Sequence, residues 1–226
     1  MNKPTHNVHV FAVAAAFTLL IAAGVPSLLH AQSFEGVVEY SITTEQGTMP
    51  MTYMMKGENV RVEMEQSPGR KAAILIDGKE HKSIMIMDKM KMYMELPTPP
   101  QADSTAAKPQ ITKTGKTEKI LGYECHEIIV KDGDMQSDVW VTKELGAFQM
   151  LRMAGRGGKR NAEAWQKLIG DEGAFPLRAT TKQGDTKVST MEATKVEKKS
   201  LDEALFKIPE GYKQFDSSMM MGRQKQ

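Results

Sequence analysis

From Phe34 to Ile42 the chain changes character at every step: Phe34, Gly36, Val38, Tyr40 and Ile42 alternate with Glu35, Val37, Glu39 and Ser41. That period of two predicts a strand with one face mostly apolar and one face mostly wet. Glu45, Gln46 and Gly47 supply a turn, and Met49, Met51, Tyr53 and Met55 resume the period until Lys56 and Gly57. Val60, Val62 and Met64 then alternate with Arg61, Glu63 and Glu65, which makes an antiparallel meander. After the break at Ser67, Pro68 and Gly69, Ala73 to Ile76 form a shorter strand that stops at Asp77–Gly78, a hairpin signal.

The stretch KSIMIMDKMKMYMELP (82–97) carries five methionines. Ile84 and Ile86 point one way, Met85 and Met87 the other. Across Asp88 and Lys89, the residues Met90, Met92 and Met94 share a face opposite Lys91, Tyr93 and Glu95. Two strands joined by a tight turn fit this pattern, and the register of that turn decides whether the two methionine sets meet.

Residues 96–110, rich in proline and small polar side chains, predict a loop that splits the sheet sequence in two. Beyond it, Ile120 to Val130 and Met135 to Thr142 predict a hairpin around Asp132–Gly133. Ala147 to Ala154 and Asn161 to Ile169 are the helix candidates, the second capped by Asn161 and ended by Gly170 and Gly173. Phe175 to Lys182 and Lys187 to Val196 return to strand. Ser200 and Glu203 suggest a capping box for one helical turn through Phe206. The expected domain spans 34–213, with 214–226 as a tail.

The first 31 residues change the setting. A lone Lys3 precedes an apolar run from Val10 to Val25, followed by Pro26, Ser27 and a small residue at Ala31, the order of a cleavable signal peptide. The run is shorter than a membrane span, so no stable span is expected after cleavage, and a periplasmic or extracellular location follows. The formal charge of +2 is too small to argue for nucleic acid. One cysteine, Cys125, cannot staple an exported chain, so stability must come from burial and ladder hydrogen bonds.

Four blocks resemble a known group. ILGYECHEIIV (120–130), DVWVTKELG (138–146), FPLRATTKQGD (175–185) and LFKIPEGYKQFD (205–216) are similar to recurring segments of an uncharacterised family of exported bacterial domains within the LolA-like, lipoprotein-carrier group. The resemblance implies a mainly β fold: a curved antiparallel sheet or incomplete β-barrel with two or three helices on its concave side. It also implies an apolar concavity that takes up acyl chains. Arg178, in the Pro-Leu-Arg block, is the arginine that this likeness offers as a candidate functional position.

The candidate site is therefore a binding wall. Tyr53, Met85, Met87, Met90, Met92, Met94 and Trp140 are expected to line it. Methionine suits such a role because it is unbranched, flexible and polarizable. Thioethers also suit Cu(I), so His81 with Met90, Met92 and Met94 forms an alternative copper set, although alternate residues root about 6.6 Å apart along a strand. Arg156, Lys159 and Arg160 in GRGGKRN read as a solvated linker or, alternatively, as a contact for an anionic headgroup. Cys125 and His126 are neighbours on a strand and face opposite ways, which argues against a nucleophile and base.

Zinc spacings, a serine-hydrolase elbow, dinucleotide glycines and paired redox cysteines do not occur. The sequence thus predicts a non-catalytic periplasmic binder of a hydrophobic or lipid-like ligand, with no cofactor. A Met-rich copper(I) protein and an envelope interaction module with an unknown protein partner stand as alternatives.

Overall fold

The alternating runs become strands in a computed structural model that describes residues 34–67, 70–96, 109–149, 169 and 173–215. The expected signal segment, the helix candidate 161–168 and the GRGGKRN patch lie outside the described residues. The strands in chain order are β1 (Glu35–Thr44), β2 (Gly47–Lys56), β3 (Asn59–Ser67), β4 (Arg70–Asp77), β5 (Lys82–Met87) and β6 (Met92–Leu96). They are followed by β7 (Gln110–Ile120), β8 (Tyr123–Asp132), β9 (Met135–Thr142), β10 (Phe175–Gln183), β11 (Thr186–Lys198) and β12 (Lys213–Gln214). All join one open sheet in the order β12-β6-β5-β4-β3-β2-β1-β11-β10-β9-β8-β7. Neighbours are antiparallel except β12, which runs parallel to β6.

Among the described residues two meanders, β1–β6 and β7–β11, thus pair through one seam, between β1 and β11. The sheet bends strongly at this seam. Tyr53 on β2 and Phe175 on β10 are separated by β1 and β11, about 14 Å along a flat sheet, yet their ring centroids stand 5.4 Å apart. Tyr40 of β1 likewise donates its hydroxyl to the carbonyl of Pro176 on β10 at 2.8 Å. The inner face holds the main core, built from Val38, Tyr40, Met51, Tyr53, Val62, Phe148, Phe175 and Leu177 among others.

The outer face of β3–β6 is covered as well. After β11 the chain forms a 3-10 turn, Glu203–Phe206, and crosses the sheet to reach the far edge as β12. Ile208 and Tyr212 pack there against Ala73, Leu75 and Ile86. Arg61 Nη1 donates to the Leu205 carbonyl at 3.0 Å, and the Tyr212 hydroxyl donates to Asp88 Oδ1 at 2.8 Å.

Several expectations are corrected. The segment Ile120 to Val130 is not one strand: Leu121 (φ 50) and Gly122 (φ 89) make a turn between β7 and β8. The strand β7 itself, QITKTGKTEKI, lacks an apolar period because it is the sheet's edge and is exposed along nearly all its length. Two or three helices were expected. Among the described residues the helical ones are two 3-10 turns, Asp88–Met90 and Glu203–Phe206, and Ile169, the last residue of the second helix candidate; residues 150–154 of the first candidate lie outside the described residues. Ala147–Gln149, assigned above to a helix start, are not helical and cross the inner face near Tyr53.

Asp77–Gly78 is not a two-residue hairpin either. Asp77 Oδ1 accepts from Lys79 N and Glu80 N, each at 2.9 Å, and the turn runs on to His81. The cap of the second 3-10 turn is Asp202, whose carboxylate accepts from Ala204 N at 2.9 Å, while Ser200 bonds Glu35 instead. The expected tail at Gln214 begins inside β12.

Candidate functional site

Strand register answers the question posed by the hairpin at 82–97. The 3-10 turn Asp88–Met90 and Lys91 in the left-handed region (φ 48) add residues to the connection. That places Met85 directly opposite Met94, and Met87 opposite Met92. Cross-strand partners share a face with roots about 4.5–5.5 Å apart, so these four thioethers form one patch. All four are half-buried.

The patch continues the core. Reading across the sheet, Val38, Tyr53, Val62, Ile74, Met85 and Met94 are successive partners in a row from β1 to β6. In the neighbouring row Tyr40 pairs with Met51, Met51 with Met64, and Met64 with Ala72. Beyond them Met87 pairs with Met92, and Met92 with Lys213. The first row passes from full burial at β1–β4 to half burial at β5–β6, and the second is fully buried at Tyr40 and Met51 and half-buried from Met64 to Met92.

Tyr53 anchors the buried end. It is fully inaccessible, stacks on Phe148 at 5.0 Å and meets Phe175 edge-on. Its hydroxyl donates to the Gln149 carbonyl and accepts from the Gln149 amide, both at 3.0 Å. Burial pushes its phenol well above the ordinary range.

Not every expected residue joins this wall. Met90 sits in the turn and is 57% exposed. Trp140 alternates with Val139 and Val141 on β9, so it points to the other side, in register with Arg178 and Glu127. Met51 and Met64, absent from the expected set, belong to the same surface; their signal was the period of two, and only the pairing shows which strands they meet. Arg156, Lys159 and Arg160 lie outside the described residues.

The copper set is not assembled. His81 stands in the turn before β5 and Met90 in the turn after it, about 20 Å apart along that strand. Among the described residues no three His, Cys, Asp or Glu side chains gather into a metal-ligating group. Arg178 is held in ion pairs with Glu118 at 3.0 Å and Glu192 at 3.2 Å, which tie β10 to β7 and β11. A cavity of about 200 Å³ under the second 3-10 turn is lined by Lys56, Asn59, Asp77, Glu203, Phe206 and Lys207. Its charges are mixed, and Lys56 already donates to the Leu201 carbonyl at 2.7 Å.

Cys125 is fully buried and free, and His126 beside it is exposed. Burial pushes the thiol up to about 11. Unfolded, it ionises near its ordinary value of about 8.5, so its contribution to stability is intact below that pH and is lost as pH rises toward 11. Urea unfolding midpoints are expected to fall between pH 8 and pH 10.5 in the native protein, with a smaller fall in Cys125→Ala. Ellman's reagent at pH 8 is expected to react only as the protein unfolds.

With the geometry described, comparison with known proteins adds a family. A family model, a domain of unknown function (DUF4412), matches residues 34–212. The chain belongs to the DUF4412 family. That span runs from the first core residue, Phe34, to Tyr212 on the outer face, so both faces of the sheet belong to the DUF4412 domain. No curated protein matches it.

Among solved structures, PNGF-II is 18% identical over 84% of this chain and 32% of its own, with a TM-score of 0.49. The MucA/MucB complex from Pseudomonas aeruginosa is 11% identical over 78% of this chain and 56% of its own, TM-score 0.47. A putative outer membrane lipoprotein-sorting protein domain from Vibrio parahaemolyticus is 12% identical over 76% and 87%, TM-score 0.31. The DUF4412 chain thus spans about a third of the PNGF-II chain and about half of the chain matched in the MucA/MucB complex. Its fold rests on its own strand order.

Proposed function

We propose that this DUF4412 protein is an exported, non-catalytic binder of a hydrophobic or lipid-like ligand, acting in the periplasm or outside the cell. The observation that carries the proposal is the pairing of Met85 with Met94 and of Met87 with Met92 on the inner face of a bent sheet. Four deformable thioethers prolong a rigid core built around Tyr53 and Phe175. A filled core is served best by side chains with few rotamers; a wall that must fit a flexible guest is served by methionine. Export is supported by the apolar run after Lys3, and among the described residues no helix is long and apolar enough to cross a membrane. A non-catalytic role is supported by the one thiol being buried and hard to ionise.

Titrating the delipidated protein with a neutral apolar fluorophore is expected to give saturable binding. Met85→Gln with Met94→Gln keeps similar volume but buries amides against the guest, and is expected to weaken binding at least tenfold. Met92→Leu with Met94→Leu is expected to leave binding within about twofold, since leucine preserves apolar volume. A flat titration overturns the proposal. Cu(I) uptake that these leucines abolish, without fluorophore binding, would establish the metal reading instead.

A further inference from the structure

The row that runs from Tyr40 through Met51 and Met64 does not end on a methionine. Its last member is Lys213, which the parallel pairing of β12 with β6 sets beside Met92 on the inner face. Lys213 N donates to the Lys91 carbonyl at 3.0 Å, tying this edge to the β5–β6 turn, where Lys89 and Lys91 are exposed. The ion pairs described involve none of these three lysines.

Of the carboxylates nearby, Asp88 offsets one of the three lysine charges and leaves the rim net positive, and Glu95 is turned away. Asp88 accepts from the Tyr212 hydroxyl, and Glu95 pairs with Ile84 on the outer-face row. Among the described residues an apolar wall therefore meets a cationic rim at the β12 edge. At the other end of β5, Lys82 and Glu80 pair with each other at 3.5 Å.

Resting on the binding role proposed above, we infer that the ligand is a single-chain amphiphile with an anionic head, a long-chain fatty acid. Its chain lies across the strands between the Met85–Met94 and Met87–Met92 rows, and its carboxylate meets Lys213, Lys89 and Lys91. The dimensions fit. The distance from β3 to β12 is four strand spacings, about 19 Å, the length of a long acyl chain. Adjacent rows are about 6.6 Å apart along a strand, room for one chain between them. The rim supplies charge rather than a fixed fork of donors, so recognition is electrostatic and weakens with salt.

The test uses the full chain, delipidated, with a neutral apolar fluorophore as reporter and three competitors of equal length: palmitate, methyl palmitate and hexadecylamine. Palmitate is expected to displace the reporter at least tenfold more effectively than its ester, and less so as salt is raised. Lys89→Glu, Lys91→Glu and Lys213→Glu together are expected to weaken palmitate about tenfold, strengthen hexadecylamine and leave the reporter and the ester unchanged. Equal competition by acid and ester, or a triple variant that binds palmitate as the native protein does, overturns the fatty-acid assignment while the apolar binding role stands. A reporter that fails to bind the native protein overturns both.

Discussion

Tyr53→Ala is expected to cost the protein about 4 kcal/mol or more of unfolding free energy, read as the shift of a urea midpoint at constant slope. Removing a fully buried aromatic ring leaves a cavity between Phe148 and Phe175, which stand 5.1 Å apart and already pack edge to face. Transfer and cavity terms for such a truncation come to about 3–5 kcal/mol. A second loss adds to it. The Tyr53 hydroxyl is the partner of both backbone groups of Gln149, and without it an amide and a carbonyl at the edge of the core lose their bonds. Tyr53→Phe isolates that second term and is expected to cost about 1–3 kcal/mol. If the two variants prove equally destabilised, the stacked ring is not the centre of this core.

The same residue links fold to proposed function. Tyr53 stands in the row that ends with Met85 and Met94, so the rigid end of the row fixes the position of its adaptable end. A core without that anchor would let the outer strands shift, and a guest lying across several strands would lose a continuous surface. Tyr53→Phe keeps the ring that anchors the row, so its ligand affinity, measured well below the unfolding transition, is expected to stay within about threefold of the native value.

How much of this was legible in the chain depends on what each residue had to say locally. The inner face of β1 to β3 was legible because Val38, Tyr40, Met51, Tyr53, Val60 and Val62 alternate with mostly polar neighbours. The strand β7 was not, because Lys113, Lys116 and Lys119 on an edge strand serve to keep its outer edge wet and closed to a further strand, and so erase the apolar period. The methionine wall was half legible. Sequence divides Met85 and Met87 from Met92 and Met94 by strand parity alone, and the extra residues of the 3-10 turn, closed by Lys91 at φ 48, bring the two sets to one face. Met90 belongs to the turn rather than the strand, which removes it from the wall and from any copper set with His81. Lys213 was assigned to the last residue of the domain, and nothing local marks it as the neighbour of Met92: a parallel pair between residues so far apart in the chain carries no signal in either segment.

Gly36→Ala tests the seam that holds the two meanders together. Gly36 lies on β1 opposite Lys198 of β11, with φ +159. A Cβ added there would stand 2.2 Å from the Glu197 carbonyl oxygen and 2.9 Å from the Phe34 ring. The ring can swing aside, but the carbonyl belongs to the β11 backbone and moves only if the strands part. Phe34 also packs on Phe175 at 6.3 Å, so its displacement carries the disturbance into the core. The expected cost is about 3 kcal/mol, at the upper end for an added methyl in a packed interior. Glu39→Ala, on the same strand but exposed and paired with Lys195 at 3.7 Å, is the control and is expected to change stability by less than about 0.5 kcal/mol. Because the two meanders pair through β1 and β11 and also share the core around Tyr53 and Phe175, the loss is expected in the single cooperative transition of the whole domain. Separate melting of the two meanders in Gly36→Ala would show instead that each half is stable without the other.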